Sequence, residues 1–159
     1  MPIRIRWRSK DYIGIALMLL GGCGLFQTFF ILFAQYFLLV ANYFVIIIIP
    51  IGSTLALFYA SIIIFESIAE VKRQRKLKSQ FKKKEEETQI LKKFLNFPIT
   101  FPLLISFIVF IGFFSLIYAI FATILNNQLS FLISENLAAI ILLLVANAIE
   151  RYYAKVRRY

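Results

Sequence analysis

The sequence predicts an all-α integral membrane protein with four transmembrane helices, arranged as two hairpins joined by a basic loop. Three observations predict this class: the composition, two long uncharged segments, and the placement of the basic residues. Hydrophobic residues make up 61% of the 159 residues, and the mean hydropathy is +0.82. Only 16% of the residues are charged, whereas a soluble domain carries roughly a quarter. This composition argues against a soluble globular fold.

The uncharged segments predict the number of helices. Residues 12–65 and 94–134 contain no Asp, Glu, Lys or Arg. A helix needs about 20 apolar residues to cross a hydrocarbon core, so the first segment holds two crossings, and the second holds two once residues 136–149 are added. Segments such as Val45 to Ile49 and Ile140 to Val145 are apolar on every face, which argues against a β-barrel. The first crossing is too long for a signal peptide and lacks its cleavage pattern, so we expect it to be retained. The predicted spans are Asp11 to Phe33, Tyr43 to Ser67, Pro102 to Leu125 and Leu129 to Tyr152.

The basic residues predict the orientation. All 18 Lys and Arg residues lie in residues 1–11, 66–93 and 150–159. The positive-inside bias places such segments in the cytoplasm, so an even number of crossings separates each from the next. We therefore expect a multi-pass protein of the cell membrane with both termini and the long loop cytoplasmic, and with external turns near 34–42 and 126–130. The resulting organisation is a basic N-terminal segment (1–11), a first hairpin (12–67), a basic, partly helical loop (68–98), a second hairpin (99–152) and a basic tail (153–159).

Small residues predict how the helices pack. Helices in lipid associate through close backbone approach, which small side chains permit. Such residues repeat every four positions in two helices, as Gly52, Ala56 and Ala60 in the second and as Ser115, Ala119 and Thr123 in the third. We expect these two stripes to face neighbouring helices, with bulky Ile, Leu and Phe side chains turned towards lipid or a partner subunit. A substrate or ion path along the same stripes is the alternative.

Pro50 lies in the outer part of the second predicted helix. Because proline has no backbone N–H, we expect it to kink or break the helix. Broken helices form binding sites in some transporters. A kink that accommodates an interfacial turn explains the proline equally well.

Glu135, Gln27 and Asn147 form the candidate intramembrane polar site, because polar and ionisable residues inside a bilayer are functional candidates. If the fourth helix begins at Ser134, that residue caps it and Glu135 meets the positive end of the helix dipole. The sequence favours this interpretation. If the helix begins near Leu129, Glu135 lies more than a turn inside the membrane and becomes a proton or cation site.

The basic segments predict contacts with anionic lipid headgroups, which attract Lys and Arg by roughly 1 kcal/mol per residue near the surface. The predicted contact residues are Arg4, Arg6, Trp7, Arg8, Lys72, Arg73, Lys82, Lys83, Lys84, Arg157 and Arg158. A net charge of +10 also suits nucleic acid. The topology rule alone already requires these charges, so we do not expect a nucleic-acid partner.

The residue types that are absent argue against catalysis. The chain has no His and one cysteine, Cys23, which removes the usual general base, the usual transition-metal ligand and any internal disulfide. We expect no catalytic residues, no metal and no cofactor.

Two function classes remain, both with other membrane subunits or self-association as partners. The sequence favours an accessory or scaffolding subunit of a larger membrane complex; the alternative is a small oligomeric channel or transporter whose path is lined by Asn147, Glu135, Gln27 and Thr28.

Cysteine labelling tests the predicted orientation. We expect Asn127→Cys and Ser79→Cys to react with a membrane-impermeant thiol reagent from opposite sides, because one crossing separates the second turn from the basic loop. The parent chain, which carries only Cys23, gives the background. Labelling of both cysteines from the same side would contradict the four-helix topology.

Overall fold

The structure is a computed structural model that describes residues 10–37, 43–79 and 99–154. These residues form four long helices: α1 Lys10–Tyr36, α2 Tyr43–Ser79, α3 Thr100–Phe121 and α4 Asn127–Ile149, with a π-helical turn, Glu150–Ala154, after α4. Each helix contains a segment long and apolar enough to cross a membrane. For the described residues, the predicted all-helical class with four helices long and apolar enough to span a membrane is therefore confirmed.

The helix bounds differ from the predicted spans most clearly in α2, which continues to Ser79. At 1.5 Å per residue, a helix of 37 residues is ~55 Å long and exceeds the roughly 30 Å of a hydrocarbon core. Residues 72–79 are mainly Lys, Arg, Gln and Leu, which are good helix formers. The helix therefore extends beyond its apolar segment, which ends at Val71. In contrast, α3 ends at Phe121, before the predicted Leu125.

α2 also continues through Pro50, so the proline does not break it. The Pro50 carbonyl accepts a hydrogen bond from the Thr54 hydroxyl at 2.5 Å, and the Ser53 hydroxyl oxygen lies 3.1 Å from the same carbonyl. The carbonyl that loses its donor to a proline is the one four residues earlier, at Ile46, so these contacts do not replace the missing bond. Pro50 nevertheless lies inside a continuous helix.

A short turn of residues 122–126 joins α3 to α4. The amides of Ile124 and Leu125 both donate to the Phe121 carbonyl, at 3.0 and 2.8 Å. Asn126 then adopts an extended backbone and α4 begins. We call this end of the bundle the turn end; it contains the α3–α4 turn, the end of α1 and the start of α2. The opposite end, where α2 and α4 end, is the loop end.

The closest helix packing joins α2 to α4, and α3 packs against both. Small residues line these contacts: Ala60, Ser61, Ala138, Ala139 and Ala146 are all buried. This agrees with the close backbone approach expected of helices in lipid. α1 packs mainly on α2. α1 and α3 consequently bury a smaller share of their surface than α2 and α4.

The small-residue stripe predicted for α3 does not lie at a contact between helices of the chain. Ser115, Ala119 and Thr123 are exposed. The buried face of α3 consists of Pro102, Ser106, Phe110 and Phe114. Residue size alone does not predict the buried face of α3, because α3 contacts α1 through aromatic rings. The rings of Phe26 and Phe107 stack with centroids 4.2 Å apart. In the α2 stripe, Ala60 is buried, Ala56 is half-buried and Gly52 is exposed.

Phenylalanine side chains also fill the core, although we expected the bulky residues to face outwards. The rings of Phe30, Phe114 and Phe131 come from α1, α3 and α4, and all three are buried. Their centroids are 4.7 Å apart for Phe30 and Phe114, 6.1 Å for Phe30 and Phe131, and 5.9 Å for Phe114 and Phe131. Two of these pairs have the favourable edge-to-face geometry. We call these three rings the phenylalanine layer; it fills the core near the turn end.

The exterior of the bundle is apolar. Leu25, Phe29, Ile108, Leu116 and Leu144 are all largely exposed. A soluble monomer does not present continuous apolar surface of this extent. On a helix that crosses a membrane, the same surface contacts lipid.

Two matched substitutions test which faces pack. We expect Ala60→Phe to destabilise the bundle by about 1–3 kcal/mol or more, because it overpacks a fully buried position. The control, Ala119→Phe on the exposed face of α3, should change stability by no more than about 0.5 kcal/mol. Both are measured by thermal unfolding in detergent. An equal loss in the two variants would contradict the observed packing and place Ala119 in a contact.

Candidate intramembrane polar site

Glu135 lies within α4 rather than at its start. The helix begins at Asn127, so Glu135 is ~12 Å along the axis from the first residue. Its side chain is 0% exposed. The capping interpretation is therefore wrong: Ser134 is in the helix interior and its hydroxyl donates to the Ser130 carbonyl at 2.6 Å. Residues 127–133 already continue the helix, so its N-terminus lies two turns earlier than that interpretation requires.

Buried side chains from α1 and α2 meet at one carboxylate oxygen of Glu135 in α4. The Gln27 amide of α1 donates to Glu135 Oε1 at 3.3 Å and also to the Ser53 hydroxyl of α2. The Ser53 hydroxyl donates to the same Glu135 Oε1 at 2.5 Å. We call Gln27, Ser53 and Glu135 the polar cluster. It links α1, α2 and α4 inside the apolar bundle.

The polar cluster has too few hydrogen-bond donors for its acceptors. Both amide hydrogens of Gln27 and the single hydroxyl hydrogen of Ser53 are already directed at partners. Two buried oxygens, Gln27 Oε1 and Glu135 Oε2, have no hydrogen-bond partner among the described residues. A buried acceptor without a partner costs about 1–3 kcal/mol. The cluster is thus complete only with an additional donor or a positive charge.

Within the part of the chain that the structure describes, no basic side chain lies at this depth to neutralise Glu135. Lys and Arg are absent from residues 11–71 and 94–150, which include most of all four helices. Along α4 the first basic residue is Arg151, ~24 Å from Glu135 at 1.5 Å per residue. An ionised carboxylate in a medium of low dielectric constant is costly unless it is paired. The neutralising species must therefore come from outside the described part of the chain.

The polar cluster is enclosed on both sides along the bundle axis. Towards the turn end lies the phenylalanine layer, one helical turn from Gln27 and Glu135. Towards the loop end lie the buried side chains of Leu57 and Leu142. Beyond them, the Ser61 hydroxyl donates to Ser106 at 3.0 Å. The nearest side chains on both sides of the polar cluster are apolar, and an apolar environment strengthens electrostatic interactions.

The other predicted polar residues lie elsewhere. Asn147 is half-buried on α4, ~18 Å along the axis from Glu135. Thr28 is exposed, and its hydroxyl donates to the Gly24 carbonyl of its own helix at 2.9 Å. Lys72 and Arg73 belong to α2. The side chains of these two and all the other predicted headgroup contacts lie outside the described residues.

Ser53 is the member of the polar cluster that the sequence analysis missed. A lone serine in an apolar helix usually bonds to its own backbone, and Ser53 does so at Pro50. The signal that would have found it is its position three residues after a proline, where the hydroxyl can both support the backbone and face another helix. Ser61 and Ser106 gave no comparable signal.

The fold and the polar cluster define a class: an all-helical integral membrane protein with a buried carboxylate held between helices. Comparisons with protein-family models, with curated proteins and with solved structures found no match to this chain. Any function is therefore inferred from the site itself.

A double-mutant cycle tests the contact between α1 and α4. We expect Gln27→Leu and Glu135→Leu each to destabilise the protein by about 1–3 kcal/mol, because each leaves a buried polar partner unpaired. The double variant should lose less than the sum, with a coupling of about 0.5–2 kcal/mol. A control cycle that pairs Thr28→Val with Glu135→Leu should show coupling below about 0.5 kcal/mol. Unfolding in detergent measures both cycles, and additive losses in the first would refute the contact.

Proposed function

We propose that this chain is a small oligomeric transport protein that binds an ion at Glu135 and moves that ion, or a solute coupled to it, across the membrane. The observation that carries the proposal is a fully buried carboxylate with no basic side chain at its depth among the described residues. Ionisable groups inside membrane proteins commonly mark ion pathways and proton relays. A group that only held helices together would need no charge, because serine and amide side chains supply the same hydrogen bonds.

The position of the polar cluster supports this proposal. Gln27, Ser53 and Glu135 lie well inside their helices and nearer the turn end, at a depth expected to fall within the hydrocarbon core. Each comes from a different helix, so a change in the charge of Glu135 alters hydrogen bonds to two other helices. Ion binding at such a junction is able to bias the packing of the bundle.

The same proposal includes the orientation. The turn end faces the exterior, and the basic N-terminal segment, loop and tail face the cytoplasm, where anionic headgroups attract them. The proposal includes an oligomer. The shallow burial of α1 and α3 supports it, because the uncovered surfaces of these two helices can line a transport path between subunits.

Reconstitution tests the proposal. The purified oligomer in sealed liposomes should carry proton or cation flux, read with dyes that respond to pH and to monovalent cations. We expect Glu135→Gln to lower the flux to that of empty liposomes, because the amide has a similar shape but cannot ionise. The matched control is Glu150→Gln, at the half-buried loop end of α4, which should retain the flux. Equal flux in wild type and Glu135→Gln would overturn the proposal.

An accessory or scaffolding subunit of a larger membrane complex is the second candidate. The specific observation in its favour is that α1 and α3 leave most of their apolar surface uncovered by the chain itself. Mild detergent extraction separates the two candidates: unrelated membrane proteins that copurify in fixed ratio favour the subunit, whereas a homo-oligomer favours the transport protein.

A further inference from the structure

We propose that the ligand of the polar cluster is a proton, which Glu135 binds and releases by way of the turn end. This inference deepens the proposed function, since it names the species held at the same site. Three observations support it: the balance of hydrogen-bond donors and acceptors in the polar cluster, the number of available oxygen ligands, and the position of the phenylalanine layer.

The hydrogen-bond balance calls for a species that brings positive charge. Gln27 Oε1 and Glu135 Oε2 are both acceptors, and both lack partners. A buried water would supply donors, but it would leave the carboxylate charge in an apolar interior. A proton on Glu135 Oε2 removes the charge and converts an unpaired acceptor into a donor. It therefore removes the charge and leaves Gln27 Oε1 as the remaining unpaired acceptor of the two.

The polar cluster offers too few ligands for a metal cation. Hard cations take about six or more oxygen ligands. The two Glu135 oxygens, Gln27 Oε1 and Ser53 Oγ are the candidates, and Glu135 Oε1 already accepts two hydrogen bonds. The Pro50 carbonyl likewise accepts a hydrogen bond from the Thr54 hydroxyl. Within the described ranges, no three His, Cys, Asp or Glu side chains come together.

Few other titratable groups face the polar cluster. On α1 the nearest is Cys23, one turn away, which contacts Ser61. On α3 it is Tyr118, whose ring stacks on Phe114 of the phenylalanine layer. The described inner face of α2 at this depth presents the hydroxyl of Ser53 and otherwise apolar side chains. A proton taken up at this depth is thus assigned to Glu135.

The shorter route for the proton leads to the turn end. Glu135 lies ~12 Å from the start of α4 and ~21 Å from its end at Ile149. The phenylalanine layer closes the shorter route, because Phe131 is one turn from Glu135 and fully buried. Proton exchange therefore requires these rings to move.

Infrared spectroscopy of the oligomer in lipid nanodiscs tests proton binding directly. Acidification should produce carbonyl stretching bands of carboxylic acids, and alkali should remove them. Because the chain has eight Asp and Glu residues, the Glu135 component is identified by difference: it should be missing in Glu135→Gln and kept in Glu150→Gln. Identical pH-dependent bands in wild type and Glu135→Gln would overturn the inference. So would a band that sodium or potassium ions abolish at constant pH, because a cation then occupies the site.

The route is tested with an apolar carbodiimide, which reacts with a protonated carboxyl group. The carboxyl oxygen bonds to the central carbon of the reagent while the acid proton passes to a nitrogen, and the intact mass rises by one reagent molecule. We expect Phe131→Ala to speed this labelling several-fold by opening the phenylalanine layer. The matched control, Leu142→Ala, removes an equally buried side chain on the other side of Glu135 and should leave the rate near that of wild type. A faster reaction in Leu142→Ala alone would overturn the turn-end route.

These measurements separate the inference from the proposed function. A band that follows pH without flux in liposomes supports the proton site and refutes transport. Flux that depends on Glu135 in a protein without such a band refutes proton binding at Glu135 and supports transport of another ion.

Discussion

Lipid offers no hydrogen bonds to a peptide group, and this constraint underlies the architecture of the chain. Within the spans Ile13–Tyr36, Ile47–Val71, Thr100–Phe121 and Asn127–Tyr152, helices satisfy their own backbone groups. Side chains add hydrogen bonds to this backbone, and the Thr54 hydroxyl donates to the Pro50 carbonyl. The Ser53 hydroxyl lies within hydrogen-bond distance of both the Pro50 carbonyl and Glu135 Oε1. One hydroxyl group of α2 therefore joins the backbone near Pro50 to the polar cluster.

The same medium makes Glu135 unusual in this chain. In water an unpaired carboxylate is solvated at little cost, but in an apolar bundle it needs a counter-charge or a proton. Gln27 and Ser53 donate to one of its oxygens, and the other oxygen and the Gln27 carbonyl remain without partners. This imbalance makes the polar cluster a candidate binding site. A polar cluster that only joined helices would have its donors and acceptors matched.

Two kinds of packing hold the bundle together. α2 and α4 approach closely through Ala60, Ser61, Ala138 and Ala139, as small residues allow. α1 is held to α3 and α4 chiefly by phenylalanine rings, including the phenylalanine layer. Rings fill a wider separation than alanine can, and they place aromatic side chains between Glu135 and the turn end. The rings that join α1 to α3 and α4 therefore also lie between the polar cluster and the turn end.

The sequence by itself determined that the chain is helical, apolar and built of four membrane-spanning segments, because charge-free segments of sufficient length depend on composition alone. Gln27 and Glu135 also stood out as polar residues in apolar surroundings. Only the tertiary structure decided that these two meet, that Ser53 joins them, and that α3 turns Phe110 and Phe114 rather than Ser115 and Ala119 towards its neighbours. The physical reason is that both small and aromatic residues can form helix contacts in lipid. Which face is buried depends on the separation and rotation of helices, and these are set by all four segments together.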